Sequence, residues 1–150
     1  MTFFKDLLSN HMFVCAFVAY FAAQIIKIIV LLIRERRLDF GLLFASGGMP
    51  SSHSSTAAAL CVSSARLFGL ASPIFAITFV LSGIVMYDAA GVRRAAGEHA
   101  RVLNQLLRDL TSGDHERTEK GLKELIGHTP VQVVVGALLG IAVPFLVPLP

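Results

Sequence analysis

The chain has 150 residues, of which 55% are hydrophobic and 15% charged, with a formal net charge of +3. That length holds a single domain, and the apolar share exceeds that of a soluble globular chain, while so small a positive excess gives no basis for nucleic-acid binding. Two cysteines, Cys15 and Cys61, both inside apolar stretches, indicate neither a disulfide framework nor a zinc pair and read as packing residues; no cofactor is implied.

Residues 12–26, 40–65, 67–87 and 125–150 contain no Asp, Glu, Lys or Arg. A helical crossing takes about 20 mostly apolar residues. The expected fold is therefore all-α: a membrane helical bundle of about four spans, near 11–33, 52–70, 73–92 and 128–148. The first apolar run continues into Lys27 and Arg34 without a small-residue cleavage site, so it reads as a retained span. The second opens on Ser54-Ser55-Thr56-Ala57-Ala58-Ala59, small and polar, and needs neighbouring helices to shield it from lipid. Gly69, Ser72 and Pro73 mark the turn into the third. The segment 93–127 is too long to be structureless: Leu103, Leu106, Leu107 and Leu110 recur at helical spacing opposite Arg101, Arg108 and Asp109, an amphipathic helix ended by Thr111-Ser112-Gly113. A second short helix is expected from Asp114 to Gly127, the pair being solvated or else lying on the membrane or over a site. Gly136 and Gly140 give the fourth span a small-residue packing face, and the run from Val143-Pro144 to Pro150 closes it.

Basic residues give the topology. Lys5 and Arg66 lie on one side of the predicted bundle, whereas Arg34, Arg36, Arg37, Arg93, Arg94, Arg101, Arg108, Arg117, Lys120 and Lys123 lie on the other. The positive-inside rule places the rich loops in the cytoplasm and both termini outside, in an integral cytoplasmic membrane protein.

On that topology several ionisable residues share the cytoplasmic face. Lys27 and Arg34 are seven residues apart, nearly two helical turns, and are either phosphate ligands or cations reaching for lipid headgroups. Pro50-Ser51-Ser52-His53 follows Gly47-Gly48-Met49 and suits a helix start, where free backbone N–H groups and serine hydroxyls hold an anion or simply cap the helix. Asp88 precedes Arg93 and Arg94 by five and six residues, an arrangement for gripping phosphate or for a plain ion pair. His128 opens the fourth span. Cations, a helix start and two histidines describe an oxyanion site with a nucleophile and a proton donor. His11 and His115 read as interfacial and solvated, and scattered histidines with one nearby carboxylate give no metal site.

These motifs resemble the type 2 phosphatidic acid phosphatase superfamily, which includes vanadium haloperoxidases, and more closely its divergent bacterial and plastid membrane branch. Lys27 and Arg34 match K-x6-R-P with Glu35 for the proline, and Pro50-Ser51-Ser52-His53 matches P-S-G-H with Ser52 for the glycine. For S-R-x5-H-x3-D, Arg93 and His99 keep the spacing but Leu103 stands for the acid; alternatively the motif is split, Arg93 or Arg94 pairing with His128, and Gln132 stands where the aspartate belongs. The resemblance implies a metal-independent, vanadate-sensitive phosphomonoesterase acting on a lipid or isoprenoid phosphate. His128 would be the nucleophile that becomes phosphohistidine, with His99 as the backup, and His53 the acid. Lys27, Arg34, Ser51, Ser52, Arg93 and Arg94 would bind phosphate, and Asp88 or Gln132 would support the histidine. The alternatives are a lipid-phosphate binding or transport protein without catalysis and a structural assembly protein; homo-oligomerisation is left open.

Overall fold

The computed structural model describes residues 2–36, 48–91, 99–106 and 129–149. Among them every regular element is a helix: α1 (Thr2–Ser9), α2 (His11–Glu35), α3 (Ser52–Phe68), α4 (Pro73–Ala90), a helical stretch over 99–106 (α5) and α6 (Pro130–Leu146). The all-α membrane bundle expected from the apolar stretches is what forms. Each long helix begins on a side chain that satisfies a free backbone N–H. Asn10 accepts from Phe13 N–H, Ser51 from Ser54, Ser72 from Phe75, and Thr129 from Gln132, with proline at the first turn of α4 and α6. The short helix α1 was not foreseen; it exposes Phe3, Phe4 and Leu8.

His11–Ile33 and Pro73–Ala90 are long and apolar enough to cross a membrane, and α6 is an apolar helix of 17 residues. The third helix differs in kind. It packs against α2, α4 and α6, whereas α4 and α6 barely meet. Its buried side chains are Ser52, Ser54, Ser55, Ala57, Ala58, Ala59, Cys61, Ser63 and Ser64, which are small enough to let neighbouring backbones come close. The large apolar residues point the other way: Phe17, Phe21, Ile25, Ile77, Val80, Leu138 and Phe145 are all exposed, as suits surfaces that face lipid. This is a bundle with small and hydroxylated residues inside and greasy ones outside.

Hydroxyls join the helices at intervals. Ser55 Oγ donates to the Ala19 carbonyl of α2 at 3.1 Å, Ser82 Oγ of α4 to the Ala57 carbonyl at 2.8 Å, and Ser64 Oγ meets Thr78 Oγ1 at 2.7 Å. Such bonds between membrane helices contribute on average about 0.6 kcal/mol each. The tightest contact is between α3 and α6, where a Cβ on Gly136 would overlap the Ser51 carbonyl oxygen and one on Gly140 would overlap the Ser55 carbonyl oxygen, with Ala58 Cβ at 2.8 Å. The expected packing face of the fourth span is thus seated on α3.

Four sequence readings need correction. His11 is not interfacial but buried, at 7% exposure. Ser63 Oγ of α3 donates to its Nδ1 at 2.9 Å and its Nε2 reaches the Val147 carbonyl at 3.4 Å, so in the neutral ring the Nε2 proton faces Val147 and one imidazole ties α2, α3 and α6. Lys27, at 3% exposure, does not reach for headgroups; the packing of the loop before α3 over its stem encloses it. Pro144 does not close the last helix but lies fully buried inside it, and α6 ends at Leu146 with Val147 as its cap. Cys15 and Cys61 are buried free thiols, as expected. Residues 99–106 are helical as expected, but there Leu103 and Leu106 are exposed together with Arg101 while Asn104 is buried, so the leucines do not form a covered apolar face; the rest of that helix and the one expected from Asp114 to Gly127 lie outside the described residues.

The glycines allow a paired test. Gly140→Ala should lower thermal stability in detergent by about 1–3 kcal/mol, because the added methyl overlaps a backbone carbonyl. Gly83→Ala, at a helical position where a Cβ meets nothing within 4 Å, should be neutral or stabilising by about 0.5–1 kcal/mol.

Candidate functional site

Several of the candidate residues lie in or beside the first turn of α3. Ser51 caps that turn, and its Oγ also accepts from the Ser54 hydroxyl at 3.0 Å. Ser51, Ser54 and Ser55 are fully buried and Ser52 nearly so. The helix begins with free N–H groups and the positive end of its dipole.

Lys27 comes to this point from α2. Gly48, in the left-handed conformation at φ +79°, lies against its stem, where a Cβ would sit 3.0 Å from Cγ and 3.1 Å from Cδ. A side chain at that position would need both an unfavourable backbone conformation and space that the lysine already fills. The ammonium nitrogen is buried and has no hydrogen-bond partner among the described residues. An enclosed ammonium without a partner is costly by several kcal/mol. Gln24, one turn earlier on α2, is also buried and donates to the Tyr20 hydroxyl at 3.0 Å. It was missed in the sequence, although a glutamine inside an apolar span is a visible signal.

The fourth span arrives through Ser51, whose N–H donates to the Gln132 carbonyl at 3.0 Å. This single bond aligns the starts of α3 and α6. Gln132 itself forms a capping box: its Oε1 accepts from Thr129 N–H at 3.0 Å while Thr129 Oγ1 accepts from Gln132 N–H at 3.4 Å. The carboxamide oxygen is therefore used in starting its own helix.

His53, exposed in the first turn of α3, and Asp88, near the end of α4, line one cavity of about 240 Å³ together with Ile84, Val85 and Ala89. The two residues, 35 apart in the chain, share a site because α3 and α4 run antiparallel. His99 begins α5, is exposed, and does not line this cavity. Arg34 lies two turns beyond Lys27 in α2. Arg93, Arg94 and His128 lie outside the described residues. No group of three or more potential metal-binding side chains occurs among the described residues.

The fold is that of a helical membrane protein in which a buried lysine, buried serines and a cavity lined by His53 and Asp88 lie near the start of α3. The chain belongs to the Divergent PAP2 family, whose description it matches over residues 8–143. It is also similar to the uncharacterized membrane protein YuiD of Bacillus subtilis (strain 168), at 40% identity over 146 residues that cover 91% of this chain and 92% of the relative. No solved structure matches it at comparable significance.

Lys27→Met tests the cluster directly. Removing a buried, unpartnered ammonium while keeping the apolar stem should raise intrinsic thermal stability by about 1–3 kcal/mol. If Lys27 is a phosphate ligand, added phosphate or vanadate should stabilise the wild type, by about 2.7 kcal/mol at a hundredfold excess over Kd, and the same change should abolish that gain. Thermal unfolding in detergent with and without the anion reads both effects.

Proposed function

We propose that the protein is a membrane phosphatase that hydrolyses a lipid or isoprenoid phosphate without a metal. The observation that carries the reading is the enclosed Lys27 side chain, packed against Gly48 just before the serine-rich first turn of α3, the same turn whose His53 shares a cavity with Asp88. Lys27, Arg34, Ser51, Ser52 and Arg93 or Arg94 hold the non-bridging oxygens. His128 attacks phosphorus, a P–N bond forms as the P–O bond to the alcohol breaks, and His53 delivers its proton to the departing oxygen. Water then cleaves the phosphohistidine with His53 as the base. Asp88, which shares the His53 cavity, orients that ring. Membership in the Divergent PAP2 family supports the reaction class. A position at the end of the spans suits an amphiphilic substrate, whose chain stays in lipid while its phosphate enters the pocket.

A second reading, binding or transport of a lipid phosphate without hydrolysis, is favoured by one observation. The Gln132 carboxamide oxygen, standing where the superfamily carries an aspartate, caps α6, and a neutral amide cannot stabilise an imidazolium as a carboxylate does.

Phosphate release from a panel of lipid and isoprenoid phosphates by the purified protein separates the two. The phosphatase reading expects release that vanadate blocks, that His128→Ala lowers by about three orders of magnitude, and that Asp88→Asn also slows. Absence of release from every substrate, with lipid-phosphate binding retained, selects the second reading.

The distribution of basic residues along the sequence supports a site that faces the cytoplasm. Cys15 and Cys61 are buried, so a Ser112→Cys variant gives a clean reporter. It should react with an impermeant maleimide only after the cells are permeabilised; labelling in intact cells would invert the orientation.

A further inference from the structure

α4 packs antiparallel and α6 parallel to α3, the two barely meet each other, and the gap between them is a slot of about 670 Å³, within the range of about 300–1,000 Å³ typical of small-molecule sites. Its lining includes Ala58 and Cys61 from α3, Phe79 and Gly83 from α4, and Ile141 from α6. The Ser82 hydroxyl at its wall is already bonded to the Ala57 and Thr78 carbonyls. One charge lies along the slot: Arg66, in the last turn of α3. Its guanidinium stacks over the Phe145 ring, 4.9 Å from the centroid, and its NH1 nitrogen is buried without a hydrogen-bond partner among the described residues. Thirteen residues separate Arg66 from His53, about 20 Å of helix, so this cation stands at the opposite end of the bundle from the Lys27 cluster.

We infer that the slot is a second amphiphile site, which holds one hydrocarbon chain of an anionic lipid with the phosphate of its headgroup on Arg66. An apolar channel with spare hydrogen-bond donors on a single cation complements a ligand with one long apolar part and one anionic end. A helix from a second copy, about 10–12 Å across with its side chains, would need a broad open face instead of a slot walled by two helices. The site is independent of the chemistry proposed for the other end of the bundle.

Lipid retention by the full-length protein tests this, using delipidated material in neutral detergent and native mass spectrometry. The probes are palmitoyl-oleoyl phosphatidylglycerol and phosphatidylcholine, which share chains and differ in charge. The wild type should retain one phosphatidylglycerol per chain with about tenfold preference over phosphatidylcholine. Arg66→Gln should remove that preference. Gly83→Leu, whose side chain grows into the slot from a position where a Cβ meets nothing within 4 Å, should lose both lipids while staying folded. Lys27→Met should keep the preference. The inference is overturned if Gly83→Leu retains lipid as the wild type does, if Lys27→Met and not Arg66→Gln removes the preference, or if Gly83→Leu changes the oligomeric mass and so shows the slot to be a protein interface.

Discussion

The arrangement depends on how closely α6 approaches α3. At Gly136 and Gly140 there is no room for even a methyl group, because the carbonyl oxygens of Ser51 and Ser55 occupy it. Membrane helices gain little from burying apolar side chains, since lipid is equally apolar, so association rests on backbones that fit and on hydrogen bonds between them. Here that fit also sets position. Glycines on successive turns of α6 lie on cap and helix residues of α3, so the beginnings of the two helices are level and the Ser51 N–H meets the Gln132 carbonyl. A slip by one turn would displace the start of α6 by about 5.4 Å and separate the elements that the pocket needs.

The candidate residues, in turn, come from several elements. Four segments bring one each to this end of the bundle: α2 brings Lys27, the loop before α3 brings Gly48 against it, the end of α4 brings Asp88, and the start of α6 brings Gln132. None of these parts forms a recognisable site alone. The first turn of α3 is their common neighbour, and its small buried serines let the others come near.

Much of the bundle was legible in the sequence because membrane helices are bounded by simple signals. Uncharged stretches located the long helices, two of which are long and apolar enough to cross a membrane, and Asn10, Ser51, Ser72 and Thr129 are caps of the kind those residues form. The small-residue stripe at Gly136 and Gly140 carried its own meaning. What could not be read was distance across the fold. Lys27 had two futures, snorkelling or enclosure, and only the packing of Gly48 on its stem decides between them. His11 looked interfacial because it opens a span, and nothing local reveals that Ser63 and Val147 flank it. Gln132 aligned with a catalytic position, yet the capping box that occupies it follows from its place three residues after Thr129. The slot above α3 has no sequence signature, since it exists only because α4 and α6 diverge.

The inverted character of α3 bears on how the chain reaches the bilayer. A segment of serines, alanines and threonine has little tendency of its own to leave water, and the insertion machinery judges segments largely by their apolarity. Its apolar neighbours α2 and α4 can each be admitted on their own composition. The third helix has to be carried in between them, its hydroxyls finding the Ala19 carbonyl and the Thr78 hydroxyl as partners in place of water. Biogenesis is thereby given an order: the helix that forms the floor of the pocket is the last to become stable in lipid, and it does so only when its companions are already there to receive it.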